Sequence, residues 1–114
     1  MKSRTKATAS TAQPILLSPD EAIAQLRKLI VLDVQNPKYA TTTIPGAQRL
    51  GVELALKDIP KTQAILLTCL TGERSLTASR QLIQKGYLSV YVLQGGVIAW
   101  RRAAHTTQLI KLPA

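Results

Sequence analysis

The 114-residue chain has little of several residue types, and each shortage excludes a class of protein. A single cysteine, Cys69, excludes an internal disulfide framework and any cysteine-rich metal site. A lone thiol also suits a reducing compartment, and we predict a cytoplasmic protein. Phe is absent and aromatic residues are few, so the core must be built from Leu, Ile, Val and Ala. No apolar run approaches the roughly 20 residues that a membrane-spanning helix needs, so we predict no membrane contact.

Acidic residues are also scarce, because six Asp and Glu stand against fifteen Lys and Arg, for a formal net charge of +9. Such a charge raises the question of nucleic-acid binding. The basic residues are scattered, however, and no aromatic residues are interleaved with them as a base-stacking surface requires. We therefore predict no nucleic-acid partner. An attraction for small anions or for an acidic partner protein explains the charge equally well.

The segment 1–13 is basic, rich in Ser and Thr and free of acidic residues, a composition shared with transit peptides. It lacks the apolar core of a secretory signal, and we predict a disordered tail.

Strand and helix patterns alternate along residues 14–104 and indicate one α/β domain. The predicted strands are short apolar runs at 14–17, 29–34, 64–69 and 88–93. The helices are predicted near 18–29, at 52–57, at 75–86 and at 97–103, the first with a capping box formed by Ser18 and Glu21. Continuous apolar strands are typical of a central parallel sheet with helices on both faces. Residues 105–114 have no clear period and are predicted to form a C-terminal extension.

The most informative feature is the position of Cys69 at the carboxyl end of a predicted strand, where ligands bind in such folds. Backbone N–H groups of the loop that follows can converge on its sulfur and favour the thiolate, as can the amino end of the next helix. Arg74 adds a permanent charge suited to an oxyanion, and Gly72 permits a tight turn. Glu73 opposes a thiolate, so we expect its side chain to point outward. The loop residues that we predict to bind substrate are Leu70, Thr71, Gly72, Glu73, Arg74 and Ser75.

A buried structural cysteine is the alternative interpretation of Cys69. A cysteine protease would need a histidine base, and the single histidine, His105, falls in the aperiodic C-terminal segment. The chemistry must therefore be one that a preformed thiolate performs unaided. Attack on sulfur or phosphorus meets that condition, whereas amide hydrolysis does not. We predict no cofactor and no metal.

Four segments in this order resemble the rhodanese family of sulfurtransferases over residues 14–104. They are Leu32-Asp33-Val34, Ile44-Pro45-Gly46-Ala47, the loop Cys69-Leu70-Thr71-Gly72-Glu73-Arg74-Ser75, and Tyr91-Val92-Leu93-Gln94-Gly95-Gly96-Val97-Ile98-Ala99-Trp100.

The resemblance implies a ping-pong reaction through a persulfide on Cys69. A small anionic donor such as thiosulfate supplies the sulfur, and cyanide, a cellular thiol or a protein accepts it. It also implies that Asp33 supports the site, and we expect Asp33 to orient nearby backbone rather than to react. Gly95 and Gly96 are interpreted as a tight strand-to-helix turn, and Trp100 as a residue that packs the last helix onto the sheet.

Two alternatives stay open beside an active sulfurtransferase. Rhodanese-like modules also serve as sulfur relays or as non-catalytic modules that bind a protein partner. The other alternative is phosphatase or arsenate chemistry. Phosphatases that share this fold have one more residue between cysteine and arginine, whereas four residues separate Cys69 from Arg74 here. The shorter spacing favours sulfur transfer.

The chain departs from the family pattern outside the cysteine loop. Gln35 and Lys38 stand where the family commonly has an arginine and a glutamate, which predicts the loss of one charge pair. Thr42-Thr43 replace the usual Gly-His, so the shape of that loop is expected to differ.

Overall fold

The structure, a computed structural model, describes residues 13–36, 38, 43–49, 53 and 57–111, with side chains through residue 103. Strands and helices alternate along these residues, as predicted. The elements in chain order are β1 (Ile15–Leu17), α1 (Pro19–Gln25), a 3-10 turn (Leu26–Lys28), β2 (Ile30–Asp33), β3 (Ile65–Thr68), α2 (Glu73–Gln84), β4 (Val90–Leu93) and α3 (Gly96–Lys111). The predicted tail 1–13 and helix 52–57 lie almost entirely outside the described residues.

The four strands form one parallel sheet in the order β1-β4-β3-β2. The register pairs Asp33 with Thr68 and Leu17 with Leu93, so the strands end at one common edge. Gln48 extends the sheet beyond β2 through a single parallel bridge to Leu32. The predicted central parallel sheet is confirmed, and its carboxyl edge is the place where a site is expected.

Apolar side chains from alternating strand positions form a separate core on each face of the sheet. One core packs α2 against β2 and β3, and its members include Leu32, Leu67, Ala78 and Leu82. The other packs α1 and α3 against the opposite face, with Val31, Leu66, Ala22 and Trp100 among its members. Helices therefore cover both faces, and the predicted packing of Trp100 is confirmed. Within the described residues, no helix is long and apolar enough to span a bilayer.

Local sequence signals explain where the first two helices begin and end. Ser18 caps α1, and its side chain and that of Glu21 form the predicted capping box. Helix α2 begins at Glu73, earlier than predicted, because Gly72 acts as its N-cap and accepts from the Leu76 N–H. Beyond Gln84 the N–H of Tyr87 donates to the carbonyl of Leu82, and Gly86 has a positive φ, as in a Schellman motif.

The predicted end of α3 at residue 103 is wrong, because the helix continues to Lys111. Residues 104–111 have no apolar period, which led to the prediction of an irregular extension from residue 105. They also contain no glycine or proline, and the next proline is Pro113. The backbone therefore has nothing in this stretch that would break a helix.

Candidate functional site

Cys69 is the first residue after β3, at the carboxyl edge of the sheet, and it is 2% exposed. The chain then turns back on itself, with Gly72 at a φ of +108°, before α2 begins at Glu73. Residues with a side chain rarely adopt that φ, so a glycine is needed at this position. The turn directs the first residues of α2 back toward the sulfur.

Two backbone N–H groups donate to the sulfur of Cys69. The N–H of Gly72 is 3.0 Å from Sγ, and the N–H of Ser75 is 3.4 Å from it. An anionic sulfur accepts such bonds more strongly than a neutral one. The curled loop thus brings two of its N–H donors to Sγ.

Four further backbone N–H groups of this segment have no hydrogen-bond partner within the described part of the chain. They are the N–H groups of Leu70, Thr71, Glu73 and Arg74. The last two belong to the first turn of α2, where a helix leaves its donors unsatisfied. A set of unpaired donors beside a cysteine can receive the oxygens or sulfur of an anion.

The side chains of the predicted binding residues contribute less than their backbone. Leu70 is 37% exposed, and Thr71 and Glu73 are also exposed. The exposure of Glu73 agrees with the expectation that its side chain points outward. The loop therefore acts toward the sulfur mainly through its peptide groups.

Arg74 is tied to the neighbouring strand. Its Nε donates to the carbonyl of Val34, the residue after β2, at 3.0 Å. This bond uses one edge of the guanidinium and leaves its terminal N–H₂ groups to other partners. Arg74 thus brings a positive charge to the carboxyl edge of the sheet and holds the start of α2 against β2.

Asp33 is buried at the end of β2, with 1% of the residue exposed, and both of its oxygens accept from Gln35. The Gln35 N–H lies 2.8 Å from Oδ1, and the side-chain Nε2 of Gln35 lies 2.9 Å from Oδ2. Arg49 Nε lies 3.6 Å from Oδ2. This turn fixes the backbone on both sides of Val34, whose carbonyl holds Arg74. Asp33 therefore orients the backbone next to Val34, and its support of the site stays a prediction.

The roles of Gln35 and Arg49 were missed in the sequence. The sequence marks Gln35 only as a departure from the family pattern, whereas in the structure its amide binds Asp33 directly. An Asp at the end of an apolar run, two residues before a Gln, was the available signal. The contact with Arg49 depends on the bridge between Gln48 and Leu32, which no local pattern indicates. Thr42 lies outside the described residues.

We predict that Gln35→Ala lowers the free energy of unfolding by about 2 kcal/mol, because it leaves a buried carboxylate oxygen without its amide donor. Urea denaturation of the two proteins measures the loss. The control is Gln81→Ala, which makes the same chemical change at an exposed position of α2. Equal losses for the two variants would contradict a special role for Gln35.

The hydroxyl of Ser75 is buried between the sulfur and the turn. Its Oγ donates to the carbonyl of Gly72 at 3.0 Å and lies 3.5 Å from Sγ of Cys69. In this arrangement a lone pair of Oγ is free to accept from an S–H group. Once the sulfur is anionic, the same hydroxyl can rotate and donate to it instead.

We predict that Ser75→Ala slows alkylation of Cys69 by iodoacetamide about tenfold. The variant loses one hydrogen bond from the Ser75 hydroxyl to the anionic sulfur, which contributes roughly 1.4 kcal/mol. The rate is measured by mass spectrometry, with Cys69 as the single thiol. Ser79→Ala serves as the control, because its buried hydroxyl makes a similar bond, to the carbonyl of Leu76, away from the sulfur. Equal rates in both variants would count against the hydroxyl.

The first turn of α3 contacts the cysteine loop on another side. The N–H of Val97 donates to the carbonyl of Cys69 at 2.8 Å, and the N–H of Ile98 to that of Leu70 at 3.2 Å. The sequence predicted that Gly95 and Gly96 form a turn, and both have positive φ. It did not predict this contact.

Comparison with known protein families confirms the resemblance seen in the sequence. The family model of the rhodanese-like domain matches residues 18–103. A sulfurtransferase from Allochromatium vinosum is 34% identical over 89 residues, which cover 75% of this chain and 83% of that protein. The thiosulfate sulfurtransferase GlpE from Pseudomonas entomophila is 30% identical over 90 residues, with the same two coverages.

Solved structures support the fold. The rhodanese-like domain of the Alr3790 protein from Anabaena superposes with a TM-score of 0.70 at 23% identity, over 81% of this chain and 76% of that domain. At this identity the similarity concerns the fold alone.

Proposed function

Because the chain belongs to the rhodanese-like domain family of sulfurtransferases, we propose that it transfers the outer sulfur of thiosulfate or a related donor through a persulfide on Cys69. The observation that carries the proposal is the setting of Sγ. Two N–H groups donate to it, further unpaired N–H groups belong to the same loop, and Arg74 stands at the start of the helix that follows. These groups fit a thiolate that receives an anionic donor.

In the first step the Cys69 thiolate attacks the outer sulfur of thiosulfate. A new S–S bond forms to Sγ, the sulfur–sulfur bond of the donor breaks, and sulfite leaves with the electron pair. The total charge is conserved, because a thiolate and a dianion give a persulfide anion and a sulfite dianion. The unpaired N–H groups and Arg74 stabilise the negative charge that moves from Sγ toward the departing oxyanion.

In the second step an acceptor attacks the outer sulfur of the persulfide. Cyanide becomes thiocyanate, or a thiolate becomes a persulfide, and the electron pair returns to Sγ. Sulfite and the Cys69 thiolate both leave as stable anions, so neither step requires a proton donor. Within the described residues the loop offers no carboxylic acid or imidazole in contact with Sγ, which is consistent with such chemistry.

The physiological acceptor is proposed to be a thiol, either small or carried by a partner protein, in a reducing compartment such as the cytoplasm. Leu70 and Thr71 follow Cys69 and are exposed, so an acceptor that approaches the persulfide can contact them. The acceptor distinguishes an independent enzyme from a relay. Turnover with small thiols supports an independent enzyme, whereas transfer only to a partner protein supports a relay.

One experiment tests the proposal. The protein is incubated with thiosulfate and its intact mass is measured, and thiocyanate formation is then followed with cyanide. A mass gain of one sulfur atom and steady turnover are expected. The absence of both would overturn the proposal. Turnover of an aryl phosphate or of arsenate with no sulfur adduct would instead support the phosphatase or arsenate alternative.

A further inference from the structure

The contact between α3 and the cysteine loop fixes the direction of two loop peptides. The carbonyls of Cys69 and Leu70 point to the N–H groups of Val97 and Ile98. All described peptide bonds are trans, and a trans peptide carries its C=O and N–H on opposite sides. The N–H groups of Leu70 and Thr71 therefore point away from α3. They belong to the unpaired donors described above.

Without α3 these two peptides would be free to rotate. A carbonyl oxygen turned toward the sulfur would repel both the thiolate and an anionic donor, whereas an N–H group attracts them. The bonds from the N–H groups of Val97 and Ile98 keep the two carbonyl oxygens directed toward α3. They also satisfy two donors that the first turn of a helix leaves without internal partners.

Gly96 makes this close approach possible. A Cβ atom at residue 96 would lie 2.4 Å from the carbonyl oxygen of Cys69 and 2.5 Å from that of Leu70. Both are backbone atoms and cannot give way as a side chain can, so any side chain at 96 would push α3 off the loop. The neighbouring Gly95 differs, because its Cβ would meet only the Cβ of Ala99, at 2.6 Å, and the backbone of the same residue.

We propose that Gly96 is a positioning residue for the sulfur donor: it lets the first turn of α3 hold the two peptides after Cys69 with their N–H groups available to an anion. The proposal rests on the proposed function for its biological meaning. It concerns anion recognition by the loop, however, which can be measured without sulfur transfer.

The test compares two alkylating reagents of similar size, the anion iodoacetate and the neutral iodoacetamide. Cys69 is the single thiol, so mass spectrometry reports its alkylation directly. The ratio of the two rates measures the attraction of the loop for an anion and cancels changes in nucleophilicity. A substitution that merely loosens the fold alters both rates together.

Gly96→Ala is expected to lower the ratio of iodoacetate to iodoacetamide rates about tenfold, and to raise the KM for thiosulfate by a similar factor, as expected for the loss of oriented donors. Gly86→Ala is the matched control. It places a side chain at a positive φ, +99° against +65° for Gly96, beyond the opposite end of α2 from the loop, where a Cβ would meet only the flexible side chain of Lys61, at 3.4 Å. It is expected to keep a ratio close to that of the unmodified protein.

Ile98→Pro is a second variant that breaks the contact at residue 98, should Gly96→Ala fail to fold. The ring Cδ of proline takes the place of the amide hydrogen, so the Leu70 carbonyl can no longer face α3 there. Proline removes the N–H that binds the Leu70 carbonyl and is tolerated in the first turn of a helix. It breaks no i to i−4 bond of α3, because Ala99, the next residue, is the first whose N–H donates to a carbonyl four positions earlier, that of Gly95 just before the helix. Ile98→Ala gives the effect of the lost side chain alone. The ratio is expected to be several-fold lower for the proline variant than for the alanine variant.

The outcomes separate the two proposals. If Gly96→Ala and Ile98→Pro keep the alkylation ratio of the unmodified protein, the positioning role is overturned, whatever the enzyme does. If the unmodified protein forms no persulfide from thiosulfate while the ratio falls in both variants, the positioning role stands and thiosulfate transfer fails.

Discussion

Replacing Cys69 with serine is expected to reduce thiocyanate formation from thiosulfate by about 10⁴-fold or more, since removal of a nucleophile leaves only binding to accelerate the reaction. A serine hydroxyl is almost fully protonated at neutral pH and forms no persulfide. The sulfur adduct seen by intact mass is expected to disappear completely. Cysteine and serine are close in size, so the loop retains its volume.

The control for this variant is a measurement of its folding stability. Cys69 belongs to the core that packs α2 against the sheet, so serine there is expected to lower the stability moderately through a buried hydroxyl. Thermal unfolding measures that cost separately from activity. A folded Cys69→Ser protein that still forms thiocyanate through a saturable step would refute the persulfide mechanism, because the chain has no other thiol.

Arg74 is expected to give the second largest effect. Arg74→Ala removes both the positive charge and the bond from Nε to the Val34 carbonyl, and should reduce kcat/KM for thiosulfate by about 10²–10³-fold. Arg74→Lys keeps a charge but lacks the planar fork of donors, so it cannot bind the Val34 carbonyl and an oxyanion together in the same geometry. An intermediate loss of about tenfold is expected for lysine.

Arg80 provides the comparison for Arg74. It is an exposed arginine on the same helix, and Arg80→Ala changes the net charge of the protein by the same amount. If the high positive charge of the chain alone attracted the donor, the two alanine variants would lose activity equally. A loss confined to the Arg74 variants, and reduced in lysine relative to alanine, supports a local role.

Much of the fold was predictable because its signals are local. The capping box at Ser18 and Glu21 sets the start of α1, and continuous apolar runs mark the buried strands of a parallel sheet. The cysteine loop was predictable for the same reason: Cys69, Gly72 and Arg74 stand close together in the sequence, and the turn between them follows from glycine. The end of α3 was not, because its last residues carry no apolar period.

The rest of the site depends on contacts between segments that are distant in the sequence. The bond from Arg74 to Val34 and the contact of Arg49 with Asp33 exist because β2 lies beside β3 on one side and beside Gln48 on the other. The contact of Gly96 with the cysteine loop likewise requires β4 to lie next to β3. A glycine pair signals a turn in any sequence, but the backbone that it meets is set by strand order.

Strand order also has a consequence for synthesis of the chain on the ribosome. Strand β1 pairs with β4, and the loop that follows Cys69 is held by residues 97 and 98, which are translated much later. A nascent chain that ends before Gly96 contains the thiol but lacks the bonds that orient the peptides beside it. We therefore expect the cysteine to acquire its anion-binding surroundings only after the last strand and the first turn of α3 have left the exit tunnel.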